Sequence, residues 1–258
     1  MPEALVGDVA SKVTPVNRIV NGFPAEENQF PFQVSLLAPY DDGRYFVCSG
    51  AIISEDYVLA AAHCTYPHPR IILRFQSKNL WSGGFTQEIP RDNIVNHPTY
   101  NETSLANDVS VIRLPQRLTL EAGRLEAIRL PGRSVLTNLF VGQRGRVAGW
   151  GIDNSGEISA TLNFVDLEVI TNTRCRRAFG ARVNDNVICG LGWHTDNQAT
   201  CGADSGAALA AQINNQWVHI GGAAFGALNA CARFPSGFVR TTNYVEWINQ
   251  VTNIPIAA

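Results

Sequence analysis

Three short segments carry residue types suited to nucleophilic catalysis. AAAHC, Ala60 to Cys64, sets His63 beside a cysteine just after an apolar strand. NDVSVIRL, Asn107 to Leu114, places Asp108 at the mouth of a strongly apolar strand, where a carboxylate is costly unless it is hydrogen-bonded. CGADSG, Cys201 to Gly206, offers Ser205 between an aspartate and a glycine in a turn-forming run. A serine hydroxyl is a poor nucleophile at neutral pH and needs a base whose pKa lies near that pH. Taken singly, each segment is weak evidence, because most histidines and serines are structural.

The elements that must position these residues read as all-β. Runs rich in Val, Ile, Leu and Phe recur between turn signals at Phe32 to Leu37, Ala51 to Ile53, Tyr57 to Ala60, Ile71 to Phe75, Val109 to Leu114, Arg146 to Trp150, Leu162 to Ile170, Trp217 to Gly222 and Gly237 to Arg240. Tyr244, Trp247, Ile248 and Val251 fall at helical spacing and predict a closing helix that docks by one apolar face. Leu114 to Pro131, with its prolines, glycine and charges, is the expected connection between two β units.

Composition narrows the class. The chain has 258 residues, 45% apolar and 16% charged, with 22 glycines and 13 prolines, a balance that suits many short strands and turns. A net charge of −2 without basic or acidic runs points away from nucleic acid, and no apolar stretch approaches membrane-spanning length. Six cysteines without a C-x-x-C pair fit three disulfides in an oxidising compartment better than a zinc site. Met1 to Arg18 lacks the continuous apolar core of an export signal, so secretion is inferred from the cysteines.

In combination, the motifs resemble the trypsin and chymotrypsin family over residues 18 to 252. RIVNG (Arg18 to Gly22), AAAHC, NDVSVIRL, VAGWG (Val147 to Gly151), CGADSG and FVRTTNYVEWI (Phe238 to Ile248) carry the likeness, and their pattern is similar to invertebrate chymotrypsin-like digestive proteases. The order His, Asp, Ser is that of chymotrypsin, whereas subtilisin and α/β-hydrolase triads run in other orders. The resemblance implies two six-stranded antiparallel Greek-key β-barrels with a C-terminal helix. Residues 1–18 would be an activation propeptide, 19–131 the first barrel, and 132–258 the second barrel with the helix.

The same resemblance implies a catalytic triad of His63, Asp108 and Ser205, and an oxyanion hole from the backbone N–H groups of Ala203 and Ser205. Cleavage after Arg18 by a trypsin-like protease would free Ile19 to pair with Asp204. Disulfides would join Cys48 to Cys64, Cys175 to Cys189 and Cys201 to Cys231. Ala199 would floor the specificity pocket, with Gly226 and Ser236 on its walls and Phe225 and Ala227 extending the groove. That uncharged pocket favours large apolar or aromatic side chains over Arg or Lys. The implied protein is a secreted, monomeric endopeptidase acting on proteins or peptides and open to protein inhibitors. No cofactor, nucleic acid or membrane partner is expected. Phe75 to Glu88 offers only Glu88 as a carboxylate, so no calcium is expected there. His68, His97, His194 and His219 read as ordinary surface or core residues, and Asn101-Glu102-Thr103 is a candidate glycosylation triplet of a kind that often arises by chance.

The pattern departs from the family at the nucleophile. Gly-Asp-Ser-Gly-Gly-Pro is usual there, and this chain reads Ala203-Asp204-Ser205-Gly206-Ala207-Ala208. A residue with a Cβ reaches the required conformation at a cost of about 1–3 kcal/mol. Ala224 also stands where the family has a serine bonded to the catalytic aspartate. Two readings follow: an active chymotrypsin-like enzyme, or an impaired homologue with a binding or regulatory role.

Overall fold

Period-two burial organises the chain. In the strand Gln33–Pro39, Val34, Leu36 and Ala38 enter one core while Leu37 enters another, because successive side chains point to opposite faces of a strand. A computed structural model describes residues 21–152, 156–193, 197–227 and 230–258. The expectations at Arg18, Ile19 and His194 lie outside these residues.

In chain order the strands are β1 (Phe23–Pro24), β2 (Gln33–Pro39), β3 (Tyr45–Ile52), β4 (Tyr57–Ala60), β5 (Arg70–Phe75), β6 (Phe85–Pro90), β7 (Ile94–Asn96), β8 (Ser110–Arg113), β9 (Arg144–Gly149), β10 (Asn163–Ile170), β11 (Val187–Gly192), β12 (Ala208–Ile213), β13 (Gln216–Phe225) and β14 (Ser236–Arg240). Among the described residues three α-helices accompany them: α1 (Ala62–Thr65), α2 (Asn172–Phe179) and α3 (Val245–Thr252).

All strand pairs are antiparallel and form two sheets. The first runs β6-β5-β2-β3-β4-β8-β7. Only a 3₁₀ turn at Arg91–Asn93 separates β6 from β7, so the two halves of one bent strand reach β5 and β8 and bring the sheet's ends together. The second runs β1-β10-β11-β14-β13-β12-β9 and closes through a further β9–β10 pairing. Counting the bent strand once and β1 as an added edge, each is the expected six-stranded barrel.

Each barrel has its own apolar interior, and a third core lies between them. Leu36, Ile71 and Phe75 fill the first, and Val147, Leu167, Leu209 and Phe238 fill the second. The shared core takes Leu37, Leu59 and Val111 from the first barrel, Ala208 and Ala210 from the second, and Tyr244 and Ile248 from the chain's end. Trp150 sits fully buried in this layer and its Nε1–H donates to Lys78 O at 3.1 Å. The closing helix forms as expected and docks on this layer. The connection from Leu114 onward hugs the first barrel, with Leu118 N–H donating to Glu55 O and Ile128 N–H to Ile52 O, before Arg129 bridges to Val218.

Candidate active site

His63 lies in α1, directly after β4, and Asp108 precedes β8, the strand paired with β4. That pairing brings the two residues together. The Cys48–Cys64 disulfide ties α1 to β3. Asn107, at a left-handed φ of +56°, turns the chain into Asp108, and the Tyr244 hydroxyl donates to Asn107 Oδ1 at 2.8 Å. The Asp108 side chain is buried, and its Oδ1 accepts the His63 backbone N–H at 2.8 Å. Its Oδ2 lies 2.7 Å from His63 Nδ1. An imidazole donating Nδ1–H there presents a bare Nε2 as base. Burial, followed by the Asp108 charge, pushes the Tyr244 phenol up to about 12, which keeps it neutral.

Ser205 is held against the same region through its backbone. Ser49 N–H donates to Ser205 O at 2.7 Å, and Gly206 N–H donates to Ala223 O at 2.7 Å. Gly206 has φ of +82°, and a Cβ on it would lie 2.2 Å from Ser49 O, so only glycine fits. Among the described residues the Ser205 hydroxyl makes no hydrogen bond, to His63 or to any other group.

The turn before Ser205 holds alanine in a backbone conformation that glycine reaches more easily. Asp204 N–H donates to Cys201 O at 3.2 Å, and Ala203, third in that turn, has φ of +70°. That sign is the one a type II turn requires. The left-handed region costs a Cβ-bearing residue about 1–2 kcal/mol, and the loop imposes it. Ile152 N–H donates to Gly202 O at 2.7 Å, which fixes the Gly202–Ala203 peptide. Carbonyl and N–H point oppositely across a trans peptide, so the Ala203 N–H faces away from Ile152. Neither the Ala203 nor the Ser205 N–H has a protein acceptor among the described residues.

Asp204 is fully buried. Its Oδ1 accepts Gly151 N–H and its Oδ2 accepts Cys201 N–H, both at 2.9 Å. A Cβ on Gly149 or Gly151 would lie 2.1 or 2.2 Å from these carboxylate oxygens, which explains the glycines of VAGWG. Among the described residues no cation reaches Asp204. Burial pushes its pKa up to about 7, against the lowering effect of the two backbone donors.

Ala199 and Ser236 are buried, and Ser236 Oγ accepts Thr200 N–H at 3.1 Å. A Cβ on Gly226 would meet nothing within 4 Å. Gly237 makes room for the Phe225 ring, which lies edge-on to Phe179. The three disulfides join the expected pairs, Cys48–Cys64, Cys175–Cys189 and Cys201–Cys231. His63 lies beside the Cys48 and Cys64 sulfurs, but with both in a disulfide no thiolate is offered to a metal. His68 stacks on Phe46, and His97 packs on Tyr244 and Trp247; burial lowers the pKa of both. Sequence reasoning did not find Ile152, Gly149 or Asn107 as parts of the site. Their roles lie in a backbone bond, a missing side chain and a turn, none of which has a residue-type signature of its own.

This arrangement defines a two-barrel protein with a carboxylate-gripped histidine and a serine turn between the barrels. The trypsin family model matches residues 19–248. The chain is 32% identical to brachyurin of Leptuca pugilator over 240 residues, covering 92% of this chain and 99% of that protein. It is 31% identical over 241 residues to serine protease 1 of Drosophila melanogaster, covering 92% and 86%. A solved collagenase structure superposes with a TM-score of 0.82 at 29% identity, covering 92% of this chain and all of the other. The chain belongs to the trypsin family of serine endopeptidases.

Proposed function

We propose that this chain is a secreted serine endopeptidase made as a zymogen, with His63, Asp108 and Ser205 as its triad and a preference for large apolar or aromatic residues before the scissile bond. The observation that carries the reading is the turn at Ala203. Its positive φ, together with the Gly202 carbonyl held by Ile152, supports an N–H that serves with that of Ser205 as an oxyanion hole. Such donors stabilise the oxygen that gains charge during acyl transfer, and loss of one lowers turnover by about 10²- to 10³-fold.

In the reaction, Ser205 Oγ adds to the peptide carbonyl while His63 Nε2 takes its proton. His63 then gives that proton to the leaving amine, and water repeats the sequence on the acyl-enzyme. Asp108, bonded at Nδ1, keeps the imidazole in the tautomer that leaves Nε2 bare and favours its charged form. The buried Asp204, high in pKa and without a cation among the described residues, supports the zymogen reading. Cleavage after Arg18 frees the Ile19 ammonium to pair with it and order the pocket, a charge-driven switch.

The uncharged residues Ala199, Gly226 and Ser236 support an apolar preference, with Leu or Ala next after aromatic residues. The family's protein substrates and the three disulfides support an extracellular protein, which we take to act as a monomer. Its partners are then a trypsin-like activator and protein inhibitors.

A second reading, an impaired homologue with a binding role, draws on two observations. Ser205 Oγ makes no bond to His63, and among the described residues the Asp108 carboxylate has only His63 donors. The two readings separate when the precursor is cleaved after Arg18 with trypsin, the trypsin is inhibited, and a fluorophosphonate is added. Labelling of Ser205 with turnover of Phe or Leu peptide amides supports the enzyme. No labelling despite a freed Ile19 favours the homologue.

A further inference from the structure

His219 has no part in the chemistry described above, yet it is one of the most deeply buried polar residues in the molecule. It lies in β13 at a bulge: Ala210 pairs with His219 and Leu209 with Gly221, so Ile220 is the extra residue. Ile220 stays in the second barrel's interior, and the bulge lets His219 and Gly222 share the opposite face. A Cβ on Gly222 would lie 3.8 Å from His219 Cε1. His219 is 1% exposed, and its Nδ1 lies 2.8 Å from Thr241 Oγ1. Its Nε2 is buried without a hydrogen-bond partner among the described residues. An orphaned polar atom of this kind costs about 1–3 kcal/mol and calls for an explanation.

The explanation lies in the layer between the barrels. His219, Asp108, Gly206, Gly222, Thr241 and Tyr244 line one pocket with room of about 10 Å³ for a water centre. That is about the space a single water centre occupies. Asp108 lines it with acceptor capacity to spare, since a carboxylate offers about four lone-pair sites and among the described residues only two donors, both from His63, are in place. Burial holds the His219 ring neutral, with its pKa lowered to about 4. If Nδ1–H donates to Thr241, Nε2 is an acceptor as well, and two acceptors across one water-sized space match the two protons of a water.

We propose that this cavity binds one water, which donates to the Asp108 carboxylate and to His219 Nε2, and that His219 is thereby a positioning residue for Asp108 and, through it, for His63. The kinetic consequence rests on the endopeptidase reading; the water and the His63–Asp108 hydrogen bond do not. Two NMR measurements on the full chain therefore test the proposal without turnover. The first seeks a long-lived water in contact with His219 Hε1, lost in His219→Leu. The second follows the low-field resonance of the His63 Nδ1 proton, which is to shift or broaden in His219→Leu and recover in His219→Gln, whose amide end reaches the Nε2 position. In the processed enzyme, His219→Leu is to lower kcat about tenfold with KM within about twofold, and the Gln variant is to restore most of it. A dry cavity, or a His63 proton unmoved by the Leu variant while it still folds by thermal melting, overturns the proposal. A chain that shows both NMR effects but turns over no substrate sinks the endopeptidase reading and leaves this one standing.

Discussion

The backbone N–H of Ile152 donates to the carbonyl oxygen of Gly202 at 2.7 Å. This single bond connects the loop after β9 to the turn before Ser205 and sets which way the Gly202–Ala203 peptide faces. Ala203 therefore occupies a glycine conformation because the surroundings impose it.

Replacing Ala203 by glycine separates strain from damage. If the loop already holds the N–H in place, Ala203→Gly gains about 1 kcal/mol of stability and changes kcat/KM by less than about threefold. A rise of about 10²-fold or more would mean that the alanine had cost the enzyme an oxyanion donor. Thermal melts and peptide-amide kinetics on the two processed proteins give both numbers.

Asp204 predicts a pH dependence specific to the precursor. Its folded pKa, about 7, is raised by burial above the ordinary 3.8. The folded state thus keeps a proton that the unfolded state releases. This contribution is favourable below about pH 4 and is lost as pH climbs toward 7, by on the order of 4 kcal/mol. Melting the Ser205→Ala precursor with and without Asp204→Asn isolates the effect. The charged-residue protein should lose ground to the Asn variant between pH 4 and 7, and cleavage after Arg18 should reverse that trend. A gap independent of pH would contradict the account.

Asp108→Asn tests the tautomer argument. An amide in this place offers an N–H where the imidazole needs an acceptor, and kcat should fall by about 10⁴-fold with little change in KM. Steady-state assays of the processed variant measure both. A loss under about tenfold would place the chemistry elsewhere.

The pocket floor gives a specificity test. Ala199 is buried and uncharged, and Ala199→Asp should raise turnover of Arg peptide amides relative to Phe amides by at least about tenfold, since a desolvated carboxylate there attracts a guanidinium. If the unaltered protein already prefers Arg, the apolar assignment is wrong.

How much was legible in the sequence depended on whether the signal was local. Tyr57–Ala60 and Ser110–Arg113 show as apolar runs because both faces of these strands are buried. Ala208–Ile213 and Val187–Gly192 do not, since their alanines, glycines and cysteine become strand only through the barrel's closure. Phe85–Pro90 alternates but is half exposed, and Ile94–Asn96 is three residues long. The polar helix Asn172–Phe179 was missed although Thr171 caps it, its Oγ1 accepting Arg174 N–H at 3.2 Å, and Gly180 ends it at φ of +56°. At the site, His63, Asp108 and Ser205 sit in motifs that can be seen one at a time. Ile152 and His219 act across about 50 and 110 residues of chain through one backbone bond and one cavity, and no local pattern marks them.

On the endopeptidase reading, Ala203 still presents its N–H to the reacting carbonyl oxygen. A crystal structure of the processed protein bound to a peptidyl boronate measures it directly, because the tetrahedral boron on Ser205 carries an oxygen where the oxyanion forms. That oxygen should lie about 2.7–3.1 Å from both the Ala203 and the Ser205 nitrogens, with Gly202 O still bonded to Ile152. A Gly202 carbonyl turned into the site, with the boronate oxygen out of reach of Ala203, would contradict it.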